Sequence, residues 1–209
     1  MAQIVSVFLV EDDPDFAYLI IKMINSDDRL RFIGHASDRP SSVEQVQKLA
    51  PDIVVMDLNL SWSELDGIEA AREIRLTTHA KILFLTSFEQ PEIILNASKN
   101  AFASGYVFKS HCQTLTDTIY RTATSDSPQE LFIRELLLAT LSPAERAIFN
   151  DLVDGDADPQ SSSSLKTVAN QKTSIFRKLG ASDRREAVRR ARDLSLLLSP
   201  GTPLAVHPR

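Results

Sequence analysis

Five polar side chains stand at the ends of apolar runs. Glu11 and Asp12 follow residues 4–10, Asp57 ends 53–57, Thr86 ends 81–86, and Lys109 follows 105–108. If those runs are neighbouring parallel strands, their carboxyl ends share one edge, where ligands of such sheets bind. Three carboxylates then meet in one small pocket, which is unfavourable unless a cation joins them. Hard oxygen ligands with room for water suit Mg2+ better than zinc, which prefers histidine and cysteine. With the Thr86 hydroxyl and the Lys109 ammonium added, the set has the parts of a phosphoryl acceptor. The metal and the lysine would neutralise the transferring oxygens while a carboxylate attacks phosphorus. Taken singly, each residue has a plainer reading: a strand-end aspartate caps a helix, and a strand-end lysine reaches solvent. Five of them at the ends of four strands, in this order, point to phosphoryl chemistry.

The elements that must position these residues alternate between two periods. Residues 4–10, 31–36, 53–57, 81–86 and 105–108 are short apolar runs of the kind buried parallel strands use. Between them, 16–24, 41–49, 67–75, 91–101 and 114–123 are amphipathic. This (βα)5 alternation predicts an α/β fold with helices on both faces of a parallel sheet. Residues 125–130 are polar and read as a linker, followed by a short apolar helix at 129–140. Ser142, Pro143 and Glu145 then form a capping box with proline at the first helical position. That helix should run to Asp154 and stop at Gly155. A second helix is predicted over 165–179, stopped by Gly180. A last one runs to residue 198, capped by Asp183 with Glu186. The proline-rich tail, 200–209, is expected to be disordered.

The composition, 43% hydrophobic and 24% charged, is that of an ordinary globular chain. No window approaches the ~18 apolar residues of a membrane span, and Met1-Ala2-Gln3 lacks the basic start of a secretory signal. The lone cysteine, Cys112, forms no internal disulfide, which fits a reducing cytoplasm. The net charge of -5 is unevenly spread. Residues 1–140 carry 12 Lys/Arg against 20 Asp/Glu, whereas 163–192 carry 9 against 2. A basic tail on an acidic body suggests a module that binds a polyanion, although an arginine-rich helix can equally be a solvated face.

Four motifs resemble the response-regulator receiver family: Val10-Glu11-Asp12-Asp13-Pro14, Val55-Met56-Asp57-Leu58, Leu85-Thr86-Ser87 and Gly105-Tyr106-Val107-Phe108-Lys109. The resemblance covers residues 4–124 and implies a flavodoxin-like receiver domain over 1–124. It implies that Asp57 takes phosphate from a sensor histidine kinase. Asp12 and Asp57, with the backbone carbonyl of Asn59, would hold Mg2+, and Glu11 would act on the metal mainly through water. Thr86 would move to hydrogen-bond the phosphoryl group, Tyr106 would turn inward behind it, and Lys109 would pair with the phosphoryl oxygens. Plain core packing is the alternative for Tyr106. Asp13 either bears on the charge of the site or caps the first helix. Two departures stand out. Leu60-Ser61 replaces the family's usual Met-Pro, and Asp66-Gly67 arrives two residues late, with Trp62 in the enlarged loop. Ser110 replaces a common proline after Lys109, so a cis bond is not expected there.

Residues 141–199 resemble the LuxR-type helix-turn-helix DNA-binding domain, a small all-α module, with residues 125–140 as the linker. The matching runs are Leu141-Ser142-Pro143-Ala144-Glu145-Arg146, Lys166-Thr167-Val168-Ala169-Asn170-Gln171, Arg177-Lys178-Leu179-Gly180 and Arg184-Arg185-Glu186-Ala187-Val188. The resemblance makes 165–179 the recognition helix, its first half in the major groove. Lys166, Thr167 and Lys172 would contact phosphates. Asn170, Gln171 and Thr173 would reach base edges. Val168, Ile175, Phe176 and Leu179 are expected to pack inward. The final helix would form a homodimer contact or a solvated face. The stretch between Gly155 and Thr167 is several residues shorter than the family pattern. Asp158-Pro159 starts a helix, but Ser161 to Ser164 follow instead of an apolar body. The first helix of the motif is therefore shortened or missing.

The leading expectation is a cytoplasmic regulator, not an enzyme, controlled by phosphorylation of Asp57 and acting on promoter DNA. The alternative is a signalling protein with a degenerate DNA-binding domain that acts by protein–protein contact. A haloacid-dehalogenase phosphatase would need a second aspartate two residues after Asp57, where Asn59 stands.

Overall fold

The computed structural model describes residues 3–60, 66–101, 103–125, 132, 138–154 and 165–178. The chain divides into two compact units, Met1–Ile133 and Arg134–Arg209.

The first unit follows the order β1 (Val5–Val10), α1 (Pro14–Asn25), β2 (Leu30–Ala36), α2 (Arg39–Leu49), β3 (Ile53–Met56), α3 (Asp66–Thr77), β4 (Lys81–Thr86), α4 (Pro91–Ala101), β5 (Gly105–Phe108), a 3-10 turn (Lys109–Thr114) and α5 (Leu115–Thr124). All five strands are parallel, in the spatial order β2-β1-β3-β4-β5. The predicted (βα)5 alternation is thus the observed one, with ends that differ by a residue or two. α1 starts two residues earlier than its apolar pattern because Asp13 caps it. The Asp13 carboxylate accepts from the backbone N–H groups of Asp15 (2.9 Å) and Phe16 (3.1 Å), and Pro14 takes the first helical position. Asp38 caps α2 in the same way through Ser41 N–H, at 2.9 Å.

The strands at the centre are apolar on both faces. Every residue of β3 is buried, and so are all but Lys81 in β4. Alternation sends Val5, Val7, Leu9, Ile53, Val55, Leu83 and Leu85 to one face, against Ala17, Ile20 and Ile24 of α1 and Leu115 and Ile119 of α5. The opposite set, including Phe8, Val54, Met56, Ile82 and Phe84, is buried as well, and α2, α3 and α4 lie side by side. Such burial on both faces is what a parallel sheet requires. β1 sits where the order reverses, between β2 and β3, so the edge beyond β1 and β3 is the topological switch point.

The start of α3 lies close against the backbone that follows β3. A Cβ on Gly67, at the start of α3, would lie 2.2 Å from the Asp57 carbonyl oxygen and 2.5 Å from that of Leu58. Only glycine lets α3 enter this near the phosphoacceptor candidate.

In the second unit, α6 (Pro143–Asp154) ends where its pattern predicts, and α7 (Leu165–Lys178) lies where a helix is predicted over 165–179. The capping box is formed: Ser142 N–H donates to Glu145 Oε2 at 2.7 Å, and Glu145 N–H donates to Ser142 Oγ at 3.3 Å. Leu138, Leu141, Ile148, Phe149 and Ile175 are buried. The side chains of Val168 and Phe176, Leu179, the stretch 155–164, the last predicted helix and most of the linker helix lie outside the described residues. Among the described residues no helix is long and apolar enough to cross a membrane.

Gly67→Ala should lower stability by about 1–3 kcal/mol, the usual cost of overpacking, read as a reduced urea midpoint at unchanged m-value. An unchanged midpoint would mean that the loop yields freely.

Candidate functional site

The strand register assembles the site. Val10 pairs with Met56, so Glu11 and Asp57 come side by side one residue past the ends of β1 and β3. The ladder continues there: Asp57 N–H donates to Val10 O at 2.9 Å, and Glu11 N–H to Ala36 O at 3.1 Å. Thr86 pairs with Phe108, the residue before Lys109. Asp57 therefore sits just beyond β3 rather than inside it.

Three carboxylates gather. Glu11, Asp12 and Asp57 each place an oxygen within 4.8 Å of the others. Glu11 is 1% exposed and Asp57 5%, whereas Asp12 is exposed. The Lys109 ammonium reaches across from β5. Its Nζ donates to Asp57 Oδ2 at 2.8 Å and to Glu11 Oε1 at 2.9 Å. Glu11 Oε2 also lies 2.8 Å from Nζ, but out of line for a hydrogen bond. Asn59 N–H donates to Asp57 Oδ1 at 3.2 Å. His35, on β2, bonds through Nε2 to the Glu11 carbonyl oxygen at 2.9 Å.

Electrostatics follow from burial. Loss of water pushes the Glu11 carboxyl up to about 7; the Lys109 hydrogen bond opposes this, and the charge of Asp57 adds to it. Burial alone would lower Lys109. The hydrogen bonds and charges of Asp57 and Glu11 outweigh it and hold the ammonium above its ordinary value. The cluster of Glu11, Asp12 and Asp57 beside the Lys109 ammonium is an all-oxygen donor set. That is the chemistry of a hard divalent cation such as Mg2+.

Thr86 is fully buried, and its Oγ1 accepts from Phe88 N–H at 3.1 Å. Tyr106 is half-buried. Its hydroxyl donates to Ile94 O of α4 at 3.0 Å, and its ring lies 5.3 Å from that of Phe84. Asp13, open to two readings in the sequence, is the cap of α1.

The match to known proteins agrees with this geometry. Residues 7–120 match the response regulator receiver domain. The chain belongs to that family. Among curated relatives of this receiver protein, the transcriptional regulatory protein DesR of Bacillus subtilis is 26% identical over 90% of this chain and 97% of its own length. A protein-glutamate methylesterase/protein-glutamine glutaminase of Photobacterium profundum is 38% identical. That likeness spans 41% of this chain and only 21% of the methylesterase, so it stops at the receiver. A LuxR-family two-component response regulator from Aurantimonas sp. SI85-9A1 superposes with a TM-score of 0.50 at 31% identity, over 56% of this chain and 86% of that one.

In the second unit, α7 presents Asn170 and Thr173 as exposed residues and Gln171 and Lys172 as half-buried ones; the side chains of Lys166 and Thr167 lie outside the described residues. α7 is tied to α6 by an ion pair that the residue patterns did not announce. Lys178 Nζ donates to Glu145 Oε2 at 2.6 Å. The same carboxylate serves the capping box, so one glutamate both starts α6 and anchors the end of α7. Hydrogen bonds from Lys178, Ser174 and the Ser142 backbone hold Glu145 down at about 2.

Because Glu145 titrates below its ordinary 4.5, its contribution is complete above pH 4.5 and is lost as pH falls towards 2. Glu145→Gln, which keeps the capping box, should therefore destabilise the second unit at pH 6 and converge with wild type near pH 2. Thermal unfolding across that range checks this; a pH-independent difference would count against it.

Proposed function

We propose that this protein is a response regulator that takes a phosphoryl group on Asp57 from a sensor histidine kinase and acts on transcription by binding promoter DNA. The observation that carries the reading is the Lys109 ammonium, held between Asp57 and Glu11 at the switch point of the sheet. The receiver is taken to span 1–124 and the DNA-binding module 141–199, joined by 125–140. A relative named as a transcriptional regulator aligns along nearly its whole length.

In this reading an Asp57 carboxylate oxygen attacks phosphorus in line. A new O–P bond forms, the N–P bond to the kinase histidine breaks, and the leaving imidazole keeps the electron pair and takes up a proton. Asp12, Asp57 and the Asn59 carbonyl would hold Mg2+, with Glu11 acting through water. When bound, the ion supplies charge neutralisation for the phosphoryl oxygens. Lys109 then exchanges an Asp57 oxygen for a phosphoryl oxygen, and Thr86 leaves the Phe88 N–H to hydrogen-bond another. Tyr106 gives up Ile94 O and follows into the space behind Thr86. The resulting shift at α4 and β5 biases a pre-existing equilibrium of the receiver and favours a homodimer. On DNA, Lys166, Thr167 and Lys172 of α7 contact phosphates, and Asn170, Gln171 and Thr173 read base edges. The protein works in the cytoplasm, where kinase, Mg2+ and promoter are together.

The serine run Ser161–Ser164, standing where a bracing helix is expected, favours a second reading in which the output is contact with another protein. Salt dependence separates the two. DNA affinity should fall steeply with salt, and Lys172→Ala should reduce the log–log slope by about one. Absence of binding to any of the organism's promoter fragments would favour the second reading. Asp57→Ala should abolish phosphate uptake from acetyl phosphate or a kinase, followed by phosphate-affinity electrophoresis; unchanged uptake would refute the phosphoacceptor assignment.

A further inference from the structure

The Lys109 ammonium has a third neighbour besides the two carboxylates. Its Nζ lies over the ring of Phe16, 4.4 Å from the centroid. Phe16 is in the first turn of α1, and its own N–H donates to the Asp13 carboxylate that caps the helix. It is partly buried against the core cluster under α1. The cap thus fixes the backbone of Phe16, and its ring lies against the ammonium that both carboxylates hold.

We propose that Phe16 is a positioning residue for phosphoryl transfer, its π face holding the Lys109 ammonium over the acceptor carboxylate and keeping water from it. This rests on the phosphoacceptor reading of Asp57. The chemistry of the step explains why a ring suits the place. Lys109 must leave Asp57 Oδ2 (2.8 Å) for a phosphoryl oxygen as the O–P bond forms. A third hydrogen-bond acceptor would pin the ammonium in one direction. An aromatic face attracts a cation over its whole area through its quadrupole, so the ammonium can slide between partners without losing that contact. An aliphatic side chain of equal bulk would exclude water but exert no such pull.

The test compares Phe16→Tyr, which keeps the π face, with Phe16→Leu and Phe16→Met, which keep apolar bulk without it. In the full chain, the Lys109 ε-methylene protons should show an upfield ring-current shift in wild type and Phe16→Tyr. Both aliphatic variants should lose it. Phosphorylation by acetyl phosphate with Mg2+ should slow about five- to tenfold in the aliphatic variants and stay near the wild-type rate in Phe16→Tyr. Equal rates in all four proteins overturn the proposal. So does equal slowing in Tyr, Leu and Met variants, which would make Phe16 a packing residue only. Should one aliphatic variant fail to fold, the other decides. A wild type that takes no phosphate would instead sink the phosphoacceptor reading, and the ring-current shift, recorded without any phosphodonor, would still report the geometry.

Discussion

The acidic pocket of the first unit stands or falls with the Lys109 ammonium. Glu11 and Asp57 are nearly water-free and lie side by side because β1 and β3 are neighbours in register. Two buried carboxylates at that spacing repel, and burial further penalises their charged forms. Lys109, brought across by β5, reaches oxygens of both at 2.8–2.9 Å. The arrangement holds both carboxylates against one ammonium at the edge of the sheet. With Asp12 beside them, the two carboxylates form an all-oxygen set of the kind a hard divalent cation takes.

The fold supplies this geometry through tight backbone constraints around the site. Ladder hydrogen bonds from Asp57 and Glu11 prolong the sheet by one residue at each strand. Gly67 lets α3 begin almost in contact with the Asp57 and Leu58 carbonyls. Asp13, outside the cluster of Glu11, Asp12 and Asp57, works on backbone N–H groups and sets the start of α1, and so the place of Phe16.

The second unit solves a different problem with fewer parts. Its segment before α7 lacks an apolar helix pattern, yet α7 is joined to α6 through Glu145 and Lys178. With the carboxylate only 7% exposed, losing either partner would leave a poorly solvated charge unpaired. The pair also locks the end of one helix to the start of the other.

Much of this was legible in the residues alone. Short continuous apolar runs and amphipathic stretches with period 3.6 determined the (βα)5 alternation, because burial on both faces leaves a parallel sheet few other patterns. Glu11, Asp12, Asp57, Thr86 and Lys109 could be named because strand ends in such a sheet converge on one edge. Ser142 with Glu145 announced a capping box because that bond is local in sequence. What only the tertiary structure decided are the contacts between distant segments. Phe16 looks like any apolar residue of an amphipathic helix until β5 carries Lys109 over its ring. Gly67 looks like a turn residue until α3 is laid against the backbone after β3. Asp13 had two roles open until the helix start was placed. The partnership of Glu145 with Lys178 spans 33 residues. Local patterns report which side of an element is buried. Register and helix phase choose its neighbours, and those are set only when all the elements pack together.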